Sequence, residues 1–171
     1  MAIKKFTRPF QDREFALRTL REMRILRHLR GGPENHVVQF LGAYTPDASL
    51  DLLEQVYVVI EALDFDLRKI LNSRRLSEDL IRHIMVQVAQ GLEYMHSANV
   101  LHRDLKPENI ACNSDTSVRI IDMGLCRTQR QAKDTPYVQT RFYRAPEIVC
   151  LCEYDRPADW WSFGAILAEC M

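Results

Sequence analysis

The sequence has no excess of either charge and no long hydrophobic run. Lys and Arg together number 23, as do Asp and Glu, so the formal net charge is zero and nothing global favours nucleic acid or a membrane as a partner. No apolar stretch approaches the length of a membrane span, and the N-terminus carries no signal-peptide pattern. Internal repeats and low-complexity segments are also missing. With 171 residues, 47% hydrophobic and 27% charged, the composition is that of one ordinary globular domain.

Cysteine and histidine spacing typical of a metal site is missing as well. Cys150 and Cys152 have no further Cys or His at zinc-like distances, and His83 and His96 have no ligand partners at suitable spacing. We therefore expect reduced thiols, as in a cytosolic or nuclear protein, and histidines in structural or surface positions. The cysteines are Cys112, Cys126, Cys150, Cys152 and Cys170.

The most informative stretch is Val100–Asn109, V-L-H-R-D-L-K-P-E-N. Its proline stiffens a short loop that can hold Asp104, Lys106 and Asn109 towards one point. An acid, a cation and an amide suit the transfer of an anionic group to a hydroxyl. The acid orients the hydroxyl proton, the cation offsets charge, and the amide offers an oxygen to a hard cation. The alternative, which the string taken alone leaves open with less weight, is a charged surface turn.

A second acidic position follows an apolar run in Arg119–Gly124, R-I-I-D-M-G. An aspartate at a strand end before a glycine turn is a good magnesium ligand, so Asp122 is a candidate partner for Asn109. The alternative is an ordinary Asx turn that closes a hairpin. Further on stands Ala145–Glu147, A-P-E.

These motifs, in this order, resemble those of the eukaryotic protein kinases. H-R-D-L-K-P-E-N and A-P-E match that family in full, and D-M-G stands where D-F-G is usual. The resemblance implies an α+β, protein-kinase-like bilobal fold, with a partial small lobe over residues 1–63 and a partial large lobe over residues 64–171. It also implies ATP and Mg²⁺ as cofactors and transfer of the γ-phosphate to Ser or Thr hydroxyls. The implied catalytic and metal-binding residues are Asp104, Lys106, Asn109 and Asp122.

The N-terminal segment Met1–Phe6 is expected to be a strand, and an apolar repeat at helical spacing predicts a helix over Asp12–Arg30. Resemblance to the lysine strand and C helix of mitogen-activated protein kinases implies that Glu22 pairs with Lys4 and holds it against the nucleotide phosphates. The alternatives are a solvated lysine and a surface Glu in a helical charge ladder. The arginines of this helix would also suit nucleic acid or a membrane surface.

Two valine-rich stretches, His36–Tyr44 and Gln55–Leu63, are expected to be strands. The resemblance places the adenine-binding hinge at the end of the second stretch, where backbone groups rather than side chains would contact adenine. A short helix is expected over Asp66–Leu71, in which Asp66 would bind the ribose or simply cap the helix. The other residues implied for ATP binding at this end of the site are Ile60, Glu61, Leu63 and Ala111.

The clearest helix is Ser77–Ser97, whose apolar stripe is expected to be core and to support the loop that begins at Val100. Ile110–Cys112 and Val118–Ile121 are expected to form a hairpin. Ala111 stands where kinases usually have a larger apolar residue beneath adenine, so we expect looser packing against the base.

Leu125–Tyr143 is polar and is expected to be a mobile activation segment. Within it, T-P-Y matches the T-x-Y dual-phosphorylation signature of mitogen-activated protein kinases, in the form of the c-Jun N-terminal kinase group. Each phosphate would add up to about two negative charges, and pairing with arginines would order the segment. The alternative is a solvated Thr-Pro turn. The implied partners are Arg21, Arg103 and Arg127 for a phosphate on Thr135, and Arg141 and Arg144 for one on Tyr137.

The resemblance also implies how substrates and regulators meet the chain. Thr140 would contact Asp104 at the substrate site, and Arg144 would favour a Pro after the target Ser or Thr. The implied partners are protein substrates with Ser/Thr-Pro sites, an upstream dual-specificity kinase and phosphatases, with neither nucleic acid nor membrane. The implied location is cytoplasmic and nuclear.

The C-terminal stretch Asp155–Met171 resembles the buried F helix of kinases. Trp161, Ala165 and Ala168 share one face of this helix, which is expected to be core. Asp159 would anchor the backbone of the catalytic loop.

Two family features are not found in this sequence. No G-x-G-x-x-G precedes Lys4, and the sequence stops within the F-helix segment. We therefore expect a kinase fragment, with apolar surface exposed where the remaining parts would pack. The alternatives are a catalytically inactive fragment that acts as a binding module, and a gene model cut at both ends.

Overall fold

The computed structural model describes residues 1–49, 53–73, 75–128 and 140–171. The strands are β1 Ala2–Thr7, β2 Phe40–Tyr44, β3 Gln55–Ile60, β4 Phe65–Asp66, β5 Val100–Leu101, β6 Ile110–Cys112, β7 Val118–Ile120 and β8 Arg127–Thr128. The α-helices are α1 Arg13–His28, α2 Leu67–Ser73, α3 Glu78–Ser97, α4 Pro146–Val149 and α5 Pro157–Cys170. Short 3₁₀ turns lie at Pro33–Asn35, Pro107–Asn109, Met123–Leu125 and Arg141–Tyr143.

The strands form small sheets rather than one large one. β1 and β2 both pair antiparallel with β3, so β3 is central and Lys4 lies opposite Val58. β6 pairs with β4 and β7, and β5 pairs with β8. Small sheets with helices packed on them confirm the predicted α+β class.

Helix α1 lies within the predicted range, Asp12–Arg30, but its buried residues are Thr19, Glu22, Ile25 and Leu26. Asp12 caps its N-terminus, because its carboxylate accepts hydrogen bonds from the backbone N–H groups of Glu14 and Phe15 at 3.4 and 3.1 Å. The buried face of the helix includes Glu22 together with apolar side chains such as Ile25. The helix therefore turns one carboxylate inwards, towards β1.

The first valine-rich strand is shorter than predicted. β2 begins at Phe40 rather than at His36, because the chain between them crosses to the neighbouring sheet, where the N–H of Val38 donates to the carbonyl of Ile120 at 3.0 Å. The second stretch ends as a strand at Ile60, also earlier than predicted. Both differences arise where the chain leaves one sheet for another element.

The core is centred on α3, as its apolar stripe predicts. This helix packs against β5, β7 and α5. Ile81, Ile84, Met85, Val88, Leu92 and Met95 are all buried. The catalytic-loop stretch starts from β5, so it begins on the best-packed part of the chain.

The prediction that α5 packs in the core is confirmed, but the predicted face of Trp161, Ala165 and Ala168 is only partly buried. The buried residues of α5 are Ala158, Asp159, Ser162 and Ile166, whereas Trp161 is 52% exposed. The reason is that polar side chains mark the inner face: the Ser162 hydroxyl, for example, donates to the backbone carbonyl of Tyr143 at 2.8 Å. Ala165 packs against the core, whereas Ala168 is exposed. None of the described helices combines the length and apolar character that a membrane span requires.

All five cysteines carry free thiols, as expected. Cys112 and Cys126 are buried, whereas Cys150 and Cys152 are exposed. Burial raises the pKa of Cys112 to about 11 and that of Cys126 well above its ordinary value. The two buried thiols are therefore packing groups rather than nucleophiles.

Candidate active site

The loop after β5 is held from below by the buried carboxylate of Asp159. Its two oxygens accept hydrogen bonds from the backbone N–H groups of His102 and Arg103 at 2.9 and 2.8 Å, and His96 Nε2 lies 2.9 Å away. Burial acts to raise the pKa of Asp159, but the hydrogen bond with His96 and those from the loop outweigh it, so the pKa is lowered. The predicted anchor of the catalytic loop is confirmed, and His96 is a structural residue.

Asp104, at the centre of this loop, is surrounded by the polar groups that the sequence singled out. Its Oδ1 accepts from both the N–H and the hydroxyl of Thr140, at 2.9 and 2.8 Å. Its Oδ2 lies 2.9 Å from Lys106 Nζ, and the Asn109 side-chain amide donates to its backbone carbonyl at 2.8 Å. The predicted contact between Thr140 and Asp104 is therefore present. Lys106 also reaches the Thr140 hydroxyl, at 3.2 Å.

The predicted ion pair between Lys4 and Glu22 is also present, at 2.5 Å. Burial raises the pKa of Glu22, while the nearby Lys4 acts in the opposite direction. Lys4 Nζ is also 3.6 Å from Asp122 Oδ1. Asp122 accepts a 3.3 Å hydrogen bond from the N–H of Gly124, so the Asx-type turn and the contact with the lysine exist together.

A backbone hydrogen bond places the side chains around Asp104 next to those around Asp122. The N–H of Ile121, next to Asp122, donates to the carbonyl of Asn109 at 2.9 Å. With its amide nitrogen directed at Asp104, Asn109 keeps a side-chain oxygen as a possible cation ligand. In the described part of the chain, no cluster of three or more His, Cys, Asp or Glu is placed to hold a metal. An amide and a carboxylate oxygen supplemented by nucleotide phosphates fit Mg²⁺, which is commonly held in this way.

A cavity of about 400 Å³ opens beside these groups, between the β1–β3 sheet and β6. Every residue that the resemblance implied for ATP binding lines it. These residues are Lys4, Glu22, Ile60, Glu61, Leu63, Asp66 and Ala111. Asp122 and Glu108 also line the cavity, whereas Asp104, Lys106 and Asn109 are not among its lining residues. The lining combines apolar side chains with two lysines, Lys4 and Lys69, and several carboxylates, which suits a ligand with a flat base and phosphates.

The side chains at the hinge have structural contacts that the sequence did not predict. Glu61 Oε1 accepts from the N–H of Gln39 at 2.8 Å and from Arg119 Nε at 3.1 Å, so the side chain at this position ties three segments together. Asp66 Oδ1 accepts from the N–H of Lys69 at 2.8 Å, which is the capping contact considered as an alternative. Asp66 also lines the cavity, so its capping role leaves a ribose contact open.

Three of the arginines predicted to meet a phosphate lie near one another. Burial, together with repulsion from Arg21 and Arg103, lowers the pKa of Arg127 to about 10. Such repulsion requires the cations to be close. Arg141 is exposed and Arg144 is partly buried. Thr135 and Tyr137 lie outside the described residues.

Sequence reasoning missed a second polar network next to the loop. Arg68 on α2 contacts Glu108, Tyr143 and Glu169. Its most distant partner lies 101 positions away along the chain. No motif or periodicity relates residues at such a distance, so no signal in the sequence could have found the network.

The whole chain, residues 1–171, matches the protein kinase domain family, and the chain belongs to that family. The relatives that the chain resembles include mitogen-activated protein kinases. The chain is 45% identical over 173 residues to mitogen-activated protein kinase p38b of Drosophila melanogaster, covering 99% of this chain and 46% of the relative. It is 45% identical to mitogen-activated protein kinase 12 of Mus musculus, covering 99% and 45%. It is also 45% identical to mitogen-activated protein kinase pmk-1 of Caenorhabditis elegans, covering 99% and 44%.

The chain thus spans about half the length of the curated relatives it matches. Their names do not distinguish a c-Jun N-terminal kinase type from other mitogen-activated kinases. Family membership and the partial kinase fold are established for this chain. The activity, the substrates, the site roles and the division into lobes remain predictions.

Proposed function

We propose that this protein is a serine/threonine protein kinase of the mitogen-activated type, which transfers the γ-phosphate of ATP to Ser or Thr hydroxyls of proteins. The observation that carries the proposal is the arrangement around Asp104. A carboxylate accepts a hydrogen bond from the hydroxyl of Thr140 at 2.8 Å while Lys106 lies within 3.2 Å of the same hydroxyl. A carboxylate and a cation converging on one hydroxyl are the groups required to prepare a hydroxyl for phosphoryl transfer.

Each residue of the site has a separate part in this proposal. Asp104 orients the substrate hydroxyl and accepts its proton, and Lys106 offsets negative charge on the transferred group. Lys4, held by Glu22, neutralises the phosphates of the nucleotide in the cavity. Asn109 and Asp122 would hold Mg²⁺, which supplies charge neutralisation between the phosphates.

Regulation by phosphorylation of Thr135 and Tyr137 is part of the same proposal. The closely placed Arg21, Arg103 and Arg127 support it, because a phosphate there would relieve their mutual repulsion. An upstream dual-specificity kinase would add the phosphates and phosphatases would remove them. Mass spectrometry of the protein from stimulated cells should find phosphate on both residues, and its absence would contradict the switch.

The proposal includes two further properties. The substrates would have Pro after the target Ser or Thr, and the protein would be located in the cytoplasm and the nucleus. Free thiols at all five cysteines support a reducing compartment. A peptide library with Ser-Pro, Thr-Pro, Ser-Ala and Thr-Ala pairs tests the substrate preference. Equal rates for the Pro and Ala members would refute it.

The decisive experiment measures phosphate transfer from labelled ATP to a protein substrate by the purified chain. Asp104→Asn is the matched control, because it keeps the shape of the side chain and removes the carboxylate. We expect transfer by the native chain and a loss of about 100-fold or more in the variant, in line with the usual contribution of a positioned base. Equal rates would favour the alternative, an inactive fragment that binds activators or substrates without turnover.

A further inference from the structure

The polar network of Arg68 is the most connected set of side chains outside the site described above. Arg68 Nε lies 3.0 Å from Glu108 Oε1, and its Nη1 lies 2.5 Å from Glu169 Oε1. Its Nη2 donates to the hydroxyl of Tyr143, which in turn donates to Glu169 Oε2 at 2.7 Å. Burial and the hydrogen bond with Glu169 raise the pKa of Tyr143 to about 12, so the phenol remains protonated and available as a donor.

Two of these partners adjoin the segments that hold Asp104 from opposite sides. Glu108 precedes Asn109, whose amide donates to the Asp104 backbone at 2.8 Å. Tyr143 closes a short turn by donating its N–H to the carbonyl of Thr140 at 2.9 Å, and Thr140 holds Asp104 Oδ1. A single guanidinium therefore connects the loop segment and the turn that meet at Asp104.

The third partner links the network to the helix that anchors the loop. Glu169 lies on α5, which also carries Asp159 beneath the loop. The same helix holds the other end of Tyr143, because the Ser162 hydroxyl donates to the Tyr143 carbonyl at 2.8 Å. Both the ring hydroxyl and the backbone of Tyr143 are thus fixed relative to α5.

We propose that Arg68 is a positioning residue, which sets the distance between Asp104 and the Thr140–Tyr143 turn by binding Glu108, Tyr143 and Glu169 at once. Arg68 itself does not line the nucleotide cavity, although its partner Glu108 does, and its other two partners lie by the turn that holds Asp104 and on α5, so we expect its main effect on the groups around Asp104 and Thr140. A planar guanidinium can direct separate N–H groups to three acceptors, which the compact ammonium of lysine cannot do with the same geometry. The structural part of this proposal is independent of the proposed function, and its kinetic part rests on that function.

Hydrogen exchange tests the structural part without any need for activity. The N–H groups of Thr140 and Tyr143 report directly on the contact with Asp104 and on the turn. In Arg68→Met we expect both amides to exchange about tenfold faster, since charge-assisted hydrogen bonds that tie the turn in place are lost. The amide of Leu92, in the core of α3, should keep its native rate.

Matched variants separate this effect from the loss of any surface arginine. Arg82→Met removes an exposed arginine of α3 whose contact with Asp79 is 3.9 Å long, and it should leave the Thr140 and Tyr143 amides unchanged. Arg68→Lys should give intermediate exchange rates. Unchanged exchange of Thr140 and Tyr143 in Arg68→Met would overturn the proposal. Equal acceleration of Leu92 would also overturn it, because that result indicates general destabilisation.

Kinetics test the consequence for the reaction. In Arg68→Met we expect kcat with a protein substrate to fall about tenfold while KM for ATP changes less than about twofold. The reason is that the variant mainly displaces the groups around Asp104 and Thr140, which would hold the substrate hydroxyl. A rise in KM for ATP at unchanged kcat would contradict this. If the native chain transfers no more phosphate than Asp104→Asn, the proposed function fails, and the exchange rates still decide the role of Arg68.

Discussion

At the scale of single residues, the carboxylate of Asp159 connects α5 to the loop that carries Asp104. Removing one partner from a buried charged network typically costs about 3 kcal/mol. We expect Asp159→Asn to lower the free energy of unfolding at pH 7 by that amount, as measured by urea denaturation. Asp79→Asn, on the surface of α3, is the control and should change it little. A variant as stable as the native chain would contradict this role for Asp159.

The same residue should contribute to the acid sensitivity of the protein. The folded-state pKa of Asp159 is below its ordinary value of 3.8. A group of this kind stabilises the fold above its unfolded pKa, and the stabilisation is lost as the pH falls through the folded pKa. Stability measured from pH ~6 down to pH ~2 should therefore fall less steeply in Asp159→Asn than in the native chain. Parallel curves for the two proteins would argue against this assignment.

For Glu22, unlike Asp159, we expect the charged form of the side chain to destabilise the fold. Burial raises its folded-state pKa, so the fold is destabilised as the pH rises from the unfolded to the folded pKa and Glu22 becomes charged. We expect Glu22→Gln to be at least as stable as the native chain at pH 7 in urea denaturation, while phosphate transfer falls about tenfold or more because Lys4 loses its partner. A clear loss of stability in this variant would contradict the burial argument.

The sequence predicted residue contacts where a motif relates the partners, and missed them elsewhere. The contacts of Lys4 with Glu22 and of Thr140 with Asp104 were predicted because the resemblance to mitogen-activated protein kinases implies them. The contact between Glu61 and Arg119 joins residues 58 positions apart, with no motif in common. Such contacts depend on how strands and helices pack against each other. The order of residue types within one segment does not encode that packing.

At the scale of elements, the cap of α1 controls the position of Glu22. Losing an Asp N-cap costs a helix about 1 kcal/mol. We expect Asp12→Ala to lower the free energy of unfolding by that amount and to weaken nucleotide binding, measured by titration with a fluorescent ATP analogue. Asp12→Asn, which keeps a capping oxygen, should behave like the native chain. Equal behaviour of the Ala and Asn variants would exclude a capping role.

Helices were more predictable than strands or buried faces, for physical reasons. The repeats of α1 and α3 are local, so their bounds agree with the structure within a few residues. The early part of the first valine-rich stretch instead pairs with β7, through the contact between Val38 and Ile120. On α5, the polar Ser162 lies on the buried face because it has a backbone acceptor there. In both cases a tertiary partner overrides the local pattern.

At the scale of the whole molecule, the clustered arginines should make the fold sensitive to anions. Arg127 is repelled by Arg21 and Arg103, so we expect a bound divalent anion to stabilise the fold by offsetting this repulsion. We expect Tm to rise in sodium sulfate compared with sodium chloride of equal ionic strength. Arg127→Met should show a smaller rise, which separates specific binding from the general effect of sulfate. Equal rises in both proteins would contradict an anion site.

Exposed apolar side chains should make the chain associate as its concentration rises. Phe142 is 85% exposed, and Leu151 and Trp161 are also exposed. Apolar surface of this kind tends to be buried in contacts between molecules. We expect sedimentation velocity to show growing association over a range of micromolar concentrations, and less of it in the Phe142→Ser variant. A monomer at every concentration tested would contradict this expectation.

The small side chain of Ala111 has a practical consequence for chemical probes. It lies in β6 and lines the nucleotide cavity, where the resemblance leads us to expect a larger apolar residue. An inhibitor with an additional methyl or halogen substituent directed at Ala111 would fit here and would clash with a larger residue. Selectivity for this chain over kinases with a larger residue at this position could therefore be designed around Ala111.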